Sequence, residues 1–369
     1  MNICIESQLL NHPRRSGLMT YTEGLVNSLR HHDNENDYTM LYYSLKRRNS
    51  EMPGVQNSNF KKTVLKVPDR EFWGRQNLID NIFLPHFLKE NKVKIFHRPS
   101  GYTMPASRSV FKILTVHDLR TLTIGDKVWG QHIENYAKSI AKVDVCVVVS
   151  QCTKKDLVQY FHIDEKKIRV IYLGADERFK RAVPQQIQKV REKYSLSEPF
   201  LLSIGSVPRK NIDGIIRGFA ASDDKDKFLL VLSCNLNVEQ YRRLTRDLGI
   251  EQRVLILDKL SDEEVVALYS GCHAFVFPSL YEGFGLPIVE AMQCGAPVIT
   301  SNISSCPEVA GNAAVLVNPL EVKEISGAIN QVCRNENLRK DLIEKGYQRA
   351  KMFSWDNFGR EMIKIYAMA

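Results

Sequence analysis

Apolar and polar residues alternate along the first half of the chain in two kinds of run. Short, nearly continuous apolar runs are typical of strands buried on both faces, and they lie at residues 1–6, 38–44, 94–97, 110–116, 143–149 and 168–172. Runs with apolar residues every three or four positions predict helices at 20–31, 78–89, 130–142 and 154–161. Residues 46–62 are polar, with glycine, proline and a charge cluster, and they predict a mobile loop.

The same alternation begins again in the second half. Strands are predicted at 200–204, 228–233, 254–257, 274–277 and 297–300, and helices at 212–221, 238–248 and 262–270, the last with Ser261 as its N-cap. A further helix contains Glu290 and is closed by Gly295. Strands that alternate with helices predict an α/β protein with parallel, doubly wound sheets. Two such runs predict two domains that face each other across a cleft, with residues 176–188 as the hinge.

Composition agrees with two ordinary domains. The chain has 369 residues, 44% of them hydrophobic and 25% charged, which is typical of a soluble globular protein. No apolar run approaches the length that spans a bilayer, and the N-terminus lacks the layout of a secretory signal. Eight scattered cysteines form no C-x-x-C pair, so we expect small buried thiols in a reducing, cytoplasmic compartment.

The net charge of +9 is unevenly distributed. Residues 1–178 hold 27 Lys and Arg against 19 Asp and Glu, or +8, whereas residues 179–369 hold 24 against 23, or +1. Clusters at 46–48 and 61–62 contribute to the excess. This basic half indicates peripheral contact with an anionic membrane surface, attraction to an anionic substrate, or simply a solvated surface. The basic residues are dispersed and match no nucleic-acid-binding module, so we expect no nucleic-acid partner.

The segment from Glu282 to Glu290, Glu-Gly-Phe-Gly-Leu-Pro-Ile-Val-Glu, carries the most specific chemistry. It follows a buried strand and leads into a helix, with Pro287 where a first helical residue would lie. Backbone N–H groups and the positive end of a helix dipole would therefore lie beside a glycine-rich loop. Two carboxylates next to such a site fit a ligand with phosphates at one end and hydroxyls at the other, such as a sugar nucleotide. A strand–loop–helix unit that binds nothing is the alternative.

Other candidates also follow predicted strands, where ligands of doubly wound sheets bind. The loop after residue 204 contains Ser206 and the cationic pair Arg209 and Lys210, which could hold a diphosphate or form a solvated turn. His117 follows strand 110–116 and could contact a sugar hydroxyl or be a structural histidine. Gly17, ahead of the first predicted helix, would let the backbone approach a ligand.

Together these segments resemble the retaining, two-domain glycosyltransferases of family 4, which have the GT-B fold. The resemblance runs through the Gly17 loop, His117-Asp118, the loop of Arg209 and Lys210, the E-x7-E segment, and residues 302–311 and 353–355. It implies an acceptor-binding domain at 1–178, completed by a C-terminal crossover helix at about 355–369, and a nucleotide-sugar-binding domain at 179–354.

The resemblance also implies roles for residues. Arg209 and Lys210 would hold the diphosphate, Glu290 would accept hydrogen bonds from the ribose, and Glu282 would lie near the transferred sugar. The remaining donor contacts would come from the backbone of the glycine-rich loop, from the Gly17 loop and from a histidine of the N-terminal domain, namely from Phe284, Gly285, Leu286, Gly17 and His117. Family members need no catalytic metal and no other cofactor. Asp224-Lys225-Asp226 matches the D-x-D metal motif of another glycosyltransferase architecture, but we interpret it as a solvated loop.

The predicted function is transfer of a hexosyl group with retention of the anomeric configuration. Mannose from GDP-mannose is the favoured donor, because the Val-His-Asp-Leu form around His117 is frequent among family members that resemble mannosyltransferases. The acceptor would be a lipid-linked or polysaccharide glycan at the inner face of a membrane. A UDP- or dTDP-sugar donor, a nucleotide-sugar epimerase, a glycoside hydrolase and a non-catalytic subunit on the same fold are the alternatives. The family loop often has two glycines, and here Arg15-Ser16-Gly17 has one.

Overall fold

The computed structural model describes residues 1–11, 16–44, 59–67, 75–101, 103–123 and 130–369. The chain divides into two compact units. Unit 1 comprises residues 1–174 and 355–369, and unit 2 comprises residues 175–354. Each unit is built around one parallel sheet.

The sheet of unit 1 has seven parallel strands in the order β3-β2-β1-β4-β5-β6-β7. Their bounds are β1 Asn2–Glu6, β2 Asp37–Tyr43, β3 Phe60–Leu65, β4 Ile95–Arg98, β5 Phe111–Val116, β6 Val145–Val148 and β7 Ile168–Val170. The described helices are α1 Gly17–His32, α2 Arg75–Leu78, α3 Leu84–Glu90, α4 Arg120–Thr123, α5 Gly130–Ile140, α6 Gln151–Phe161 and, from the end of the chain, α15 Trp355–Tyr366.

The prediction of a loop at 46–62 is wrong at its end, because β3 begins at Phe60 and forms one edge of the sheet. Phe60 is buried and its ring stacks on Tyr38 of β2, with 4.4 Å between centroids. Lys61 and Lys62 hid this strand, since edge strands tolerate polar residues that a central strand would not. Residues 46–58, including the charge cluster at 46–48, lie outside the described residues.

The sheet of unit 2 has six parallel strands in the order β10-β9-β8-β11-β12-β13. Their bounds are β8 Phe200–Ile204, β9 Leu229–Ser233, β10 Val254–Leu257, β11 Ala274–Phe277, β12 Val298–Ser301 and β13 Ala314–Val317. The helices are α7 Pro184–Lys193, α8 Ile212–Ala220, α9 Val238–Asp247, α10 Asp262–Gly271, α11 Leu286–Gln293, α12 Cys306–Ala310, α13 Val322–Arg334 and α14 Glu336–Ala350. Ser261 caps α10 as predicted, and its hydroxyl accepts a hydrogen bond from the N–H of Glu264.

The two doubly wound sheets confirm the predicted fold class. The last five residues of the proposed hinge at 176–188 are helical. Helix α7 begins at Pro184, whose fixed φ suits a first helical position.

The final helix completes unit 1. Helix α15 packs on α1, where Trp355 lies against Gly24: a Cβ at position 24 would come within 2.4 Å of the indole ring. Ser28 of α1 donates a hydrogen bond to the carbonyl of Trp355 (2.6 Å). Within the described ranges, none of the helices has the length and apolar character needed to cross a bilayer.

Candidate active site

Three of the predicted site residues of unit 2 form one ion cluster. Arg209 and Lys210 occupy a short 3-10 turn after β8, and Glu282 lies in the loop after β11. These strands are neighbours at the point where the strand order reverses, since the chain passes from β8 through β9 and β10 and returns beside β8 with β11. Ligands of open parallel sheets bind at such a switch point, beyond the carboxyl ends of the strands.

Both cations bind the carboxylate of Glu282. Lys210 Nζ lies 2.8 Å from Oε1 and Arg209 Nη1 lies 2.6 Å from Oε2. The hydroxyl of Ser279 donates to Oε1 as well (2.6 Å). The side chain of Glu282 is only 6% exposed, so this carboxylate is enclosed by its partners. The three charged groups together carry a net charge of +1.

The charges shift the titration of both buried groups. Burial raises the pKa of the Glu282 carboxyl, but the charges of Lys210 and Arg209 outweigh burial and hold that pKa below its usual value. Burial lowers the pKa of the Lys210 ammonium, and Glu282 acts in the opposite direction. The Lys210 ammonium also lies 4.5 Å from the centre of the Phe277 ring, a favourable cation–π contact.

Two backbone features place the cationic pair. Gly205 has φ +149°, and a Cβ there would come within 2.5 Å of Lys210 Cγ. Asn211 adopts the left-handed conformation, and its side-chain amide donates to the carbonyls of Pro278 (3.1 Å) and Pro319 (2.7 Å). The turn is therefore fastened to the loop that follows β11, which brings the cations to Glu282.

The glycine-rich loop is held by serines after β12. Ser304 Oγ accepts from the N–H of Glu282 (3.0 Å). Ser305 Oγ donates to the carbonyls of Glu282 (2.9 Å) and Phe284 (2.7 Å). The Phe284 ring is buried against Phe353, so this residue offers a ligand its backbone alone.

The N-terminus of helix α11 lies in the glycine-rich loop, beside which the sequence predicts a bound ligand. Gly285 has φ +105° at the N-cap, a left-handed conformation that favours glycine. Leu286 is the first helical residue and Pro287 follows in the first turn. The predicted order of strand, glycine-rich loop and helix is present, with the helix starting four residues before Glu290.

Glu290 has a different hydrogen-bond partner from Glu282. Its Oε2 accepts a hydrogen bond from the hydroxyl of Tyr269 (3.4 Å). Burial raises the pKa of the Glu290 carboxyl to about 7, with the charge of Arg178 acting in the opposite direction. A carboxyl with this pKa gains from hydrogen-bond donors, because donors favour its ionised form.

The remaining candidate of unit 2 is Ser206. Its hydroxyl accepts a hydrogen bond from the N–H of Asn235 (2.9 Å), so it joins the loops that follow β8 and β9. It lies in the same loop as the cationic pair.

Two candidates lie in unit 1. Ring nitrogen Nε2 of His117 lies 2.8 Å from the carbonyl oxygen of Pro99, and the ring of Tyr21 packs edge-on against the imidazole at 4.6 Å. Burial lowers the pKa of His117, which favours a neutral imidazole. Gly17 is exposed as the first residue of α1, and a Cβ there would meet nothing within 4 Å. Arg15 of the same loop lies outside the described residues.

The interpretation of residues 224–226 as a solvated loop is wrong for Asp224. This side chain is buried and bonds Arg334 of α13 (2.5 Å) and Lys227 (2.9 Å). The bond to Arg334 therefore ties this loop to α13. Across the ranges that the structure describes, no three His, Cys, Asp or Glu side chains are grouped so as to hold a metal ion.

The sequence analysis missed the supporting residues: Ser279, which binds Glu282, and Tyr269 and Arg178, which surround Glu290. Position offered one indication for Ser279, because it follows the buried strand β11 by two residues. Tyr269 lies in α10 and Arg178 lies in the loop before α7. No local sequence pattern identifies either residue as a neighbour of Glu290.

Both halves of the chain match glycosyltransferase family models. The family model for glycosyl transferases group 1 matches residues 185–349, and the model for glycosyltransferase family 4 matches residues 16–179. The O-antigen chain mannosyltransferase RfbU of Salmonella typhimurium is 31% identical over 261 residues, which covers 69% of each chain.

The serotype-specific mannosyltransferase WbdA of Escherichia coli is 32% identical over 272 residues, or 69% of this chain. That match spans only about a third of the length of WbdA. Among solved structures, HepE of Anabaena in complex with UDP and glucose shares the fold, with a TM-score of 0.77, 16% identity and complete coverage of both chains.

Proposed function

This chain belongs to the family 4 glycosyltransferases, and from that premise we propose that it transfers mannose from GDP-mannose to a saccharide acceptor in surface glycan synthesis. The cluster of Arg209, Lys210 and Glu282 carries the proposal. A net positive cluster at a sheet switch point, next to the start of a helix, suits the diphosphate of a nucleotide sugar.

The proposed reaction breaks the bond between the anomeric carbon of mannose and the diphosphate oxygen. Negative charge develops on that oxygen, and Arg209 and Lys210 neutralise it. The acceptor hydroxyl attacks the anomeric carbon and gives its proton to the departing phosphate on the same face, so configuration is retained. In this scheme the cations supply the electrostatic stabilisation and the reaction needs no bound metal.

Glu282 has two roles in this proposal. It holds the cations in place before the donor binds, because both ion pairs end on its carboxylate. It also lies in the loop before α11, where the sugar of the donor would be bound. Glu290 accepts hydrogen bonds from the ribose hydroxyls. Such charge-assisted hydrogen bonds are strong in a weakly solvated site.

The choice of mannose rests on the relatives, since RfbU and WbdA both carry the name mannosyltransferase. A UDP-sugar donor is the second candidate, because HepE was solved with UDP and glucose. The basic half of the chain favours contact with an anionic membrane or a lipid-linked acceptor.

Thermal stabilisation by GDP, UDP, dTDP and ADP, with GDP-mannose and UDP-sugars beside them, tests the donor. A ligand that binds only the folded state at a hundredfold excess over its Kd stabilises it by about 2.7 kcal/mol. We expect a shift with GDP and GDP-mannose alone. A shift with UDP or dTDP instead would overturn GDP-mannose as the donor but keep the transferase function. No shift with any nucleotide would favour a non-catalytic subunit.

Lys210→Ala tests the chemistry. We expect transfer from GDP-mannose to fall by about 100-fold or more, as when one preorganised charge is removed from a developing oxyanion. Arg209 and Ser279 still hold Glu282 in this variant, so the fold should persist. Transfer at the wild-type rate would refute the role of the pair. EDTA treatment without loss of activity, together with retained anomeric configuration by NMR, would support the rest of the scheme.

A further inference from the structure

A chain of four buried polar side chains lies in the core of unit 1. Its members are Tyr366, the last residue of α15, His97 of β4, Thr115 of β5 and Tyr21 of α1, and we call it the polar chain. Each of these residues is at most 1% exposed. Burying a polar group costs free energy that an apolar residue of similar volume avoids, so packing alone does not account for the polar chain.

Three hydrogen bonds join the members of the polar chain. The hydroxyl of Tyr366 lies 2.7 Å from Nδ1 of His97, whose Nε2 lies 2.9 Å from Thr115 Oγ1. Thr115 Oγ1 lies 2.8 Å from the hydroxyl of Tyr21. Burial, and then the charge of His117, lowers the pKa of His97 to about 3, so its imidazole is neutral and donates through one nitrogen while accepting through the other. A buried network whose members are all bonded is rigid, because any displacement leaves a polar group unpaired.

Tyr21 links the polar chain to His117. Its ring packs edge-on against the His117 imidazole, with 4.6 Å between centroids and 87° between planes. Two rings of α15 contact the same tyrosine, Phe358 at 5.4 Å and Trp355 at 6.5 Å. The orientation of the Tyr21 ring is therefore fixed by a hydrogen bond at its hydroxyl and by ring contacts from α15.

The bonding of His117 makes its second ring nitrogen an acceptor. Nε2 lies 2.8 Å from the carbonyl oxygen of Pro99, and a carbonyl oxygen can only accept, so Nε2 carries the ring proton. Burial lowers the pKa of His117 and favours the neutral ring, which leaves a lone pair on Nδ1. A neutral imidazole held in this tautomer can accept a hydrogen bond from a hydroxyl group.

We propose that the polar chain positions the His117 imidazole for a hydroxyl of the transferred sugar, and that α15 thereby contributes to the reaction from the end of the chain. The proposal rests on the transferase function, in which His117 contacts the donor sugar. Tyr21, Thr115, His97 and Tyr366 are positioning residues, since each acts through the orientation of His117. Displacing a substrate-binding group by about 1 Å can lower the rate about 100-fold, so small changes in this orientation are sufficient to affect transfer.

Tyr21→Phe and Tyr366→Phe test the proposal, because each removes one hydroxyl from the polar chain and keeps the ring. We expect kcat for transfer from GDP-mannose to fall about tenfold in Tyr21→Phe and roughly threefold in Tyr366→Phe, which is farther from His117. The thermal shift with GDP reports the diphosphate site of unit 2 and should be the same in both variants and the wild type.

NMR of the His117 imidazole, in protein labelled with 15N-histidine and without ligand, measures positioning directly. The resonances are assigned with His117→Gln, and the wild type should show the tautomer protonated at Nε2. We expect these resonances to shift in both phenylalanine variants. The aromatic rings are retained, so such a shift reports a moved imidazole, and a merely structural role for the hydroxyls would lower stability without it.

Tyr38→Phe is the matched control. Tyr38 is fully buried in the same unit, and its hydroxyl donates to Asp33 (2.6 Å) outside the polar chain. The control should lose stability but keep the wild-type kcat and His117 resonances. Thr115 offers a second test, because Thr115→Val removes the hydroxyl and should behave as Tyr21→Phe does, whereas Thr115→Ser keeps the hydroxyl and should keep transfer.

The outcomes separate this proposal from the transferase function. A wild-type kcat in either phenylalanine variant of the polar chain, or a lower kcat with unchanged His117 resonances, would overturn positioning by the chain. An equal fall of kcat in Tyr38→Phe would show general destabilisation and would overturn it as well. If the wild type binds no nucleotide while the His117 resonances still shift in both variants, the transferase function fails and the positioning of His117 stands.

Discussion

Replacing Glu282 by glutamine removes the one carboxylate that both Arg209 and Lys210 bind. The substitution keeps the shape of the side chain, but the charge of the cluster changes from +1 to +2. The two cations, 19% and 12% exposed, then lack their counter-charge in a poorly solvated site. Breaking a buried ion pair in this way costs about 3–5 kcal/mol.

This cost should appear as a lower melting temperature of unit 2. For a unit of this size, residues 175–354, each kcal/mol corresponds to roughly 2–4 °C, so we expect a decrease of about 10 °C. GDP should offset the loss, because its diphosphate supplies the negative charge that the variant lacks. The stabilisation by saturating GDP should therefore be larger in Glu282→Gln than in the wild type, although transfer of mannose falls.

Differential scanning calorimetry with and without GDP and inorganic pyrophosphate measures both effects. Glu336→Gln is the control, since Glu336 is 68% exposed in the same unit and pairs with Lys340 at the surface. It should change neither the melting temperature nor the response to GDP. A variant Glu282→Gln that melts at the wild-type temperature, or that gains no more from GDP than the wild type, would refute this account of the cluster.

Burial raises the pKa of Glu290 from 4.5 to about 7, so the free energy of unfolding falls as the pH rises from 4.5 to about 7 and this loss is complete above that pH. In the proposed site the ribose hydroxyls donate to the ionised carboxylate, so the Kd of GDP-mannose should rise by up to about tenfold per pH unit below pH 7 in calorimetric titrations. A pH-independent Kd, or the same slope in Glu290→Gln, would contradict this. Gly205→Ala should drive a Cβ into Lys210 and abolish transfer of mannose in an activity assay. Gly327→Ala is its control, because a Cβ there meets open space in a helix; it should raise the free energy of unfolding by about 0.5–1 kcal/mol and leave the activity intact. Gly24→Ala should destabilise unit 1 by about 1–3 kcal/mol in chemical denaturation, because its Cβ overlaps the indole at the start of α15, and an unchanged midpoint would show that α15 is not packed on α1 as described.

Local patterns determined most of the architecture. The apolar run at 274–277, the glycines of the following loop and the proline after Leu286 were sufficient to predict strand, loop and helix in that order. Ser261 was identified as an N-cap from its position before an amphipathic run. Such features are set by the backbone preferences of a few neighbouring residues, which the sequence displays directly.

The charged groups of the site depended on residues distant in sequence. Lys210 and Glu282 are 72 positions apart. Sequence analysis named Lys210 and Glu282 separately but not the bond between them. The direction of the Glu282 pKa shift depends on its contacts with Lys210 and Arg209.

The sequence by itself determined the α/β class, the two doubly wound sheets and the family to which the chain belongs. Tertiary structure alone decided that residues 60–65 form an edge strand, that Asp224 is buried, and which carboxylate holds which cation. The difference is physical, because secondary structure follows from local sterics and hydrogen bonding. Burial and electrostatic environment arise only when distant segments are packed together.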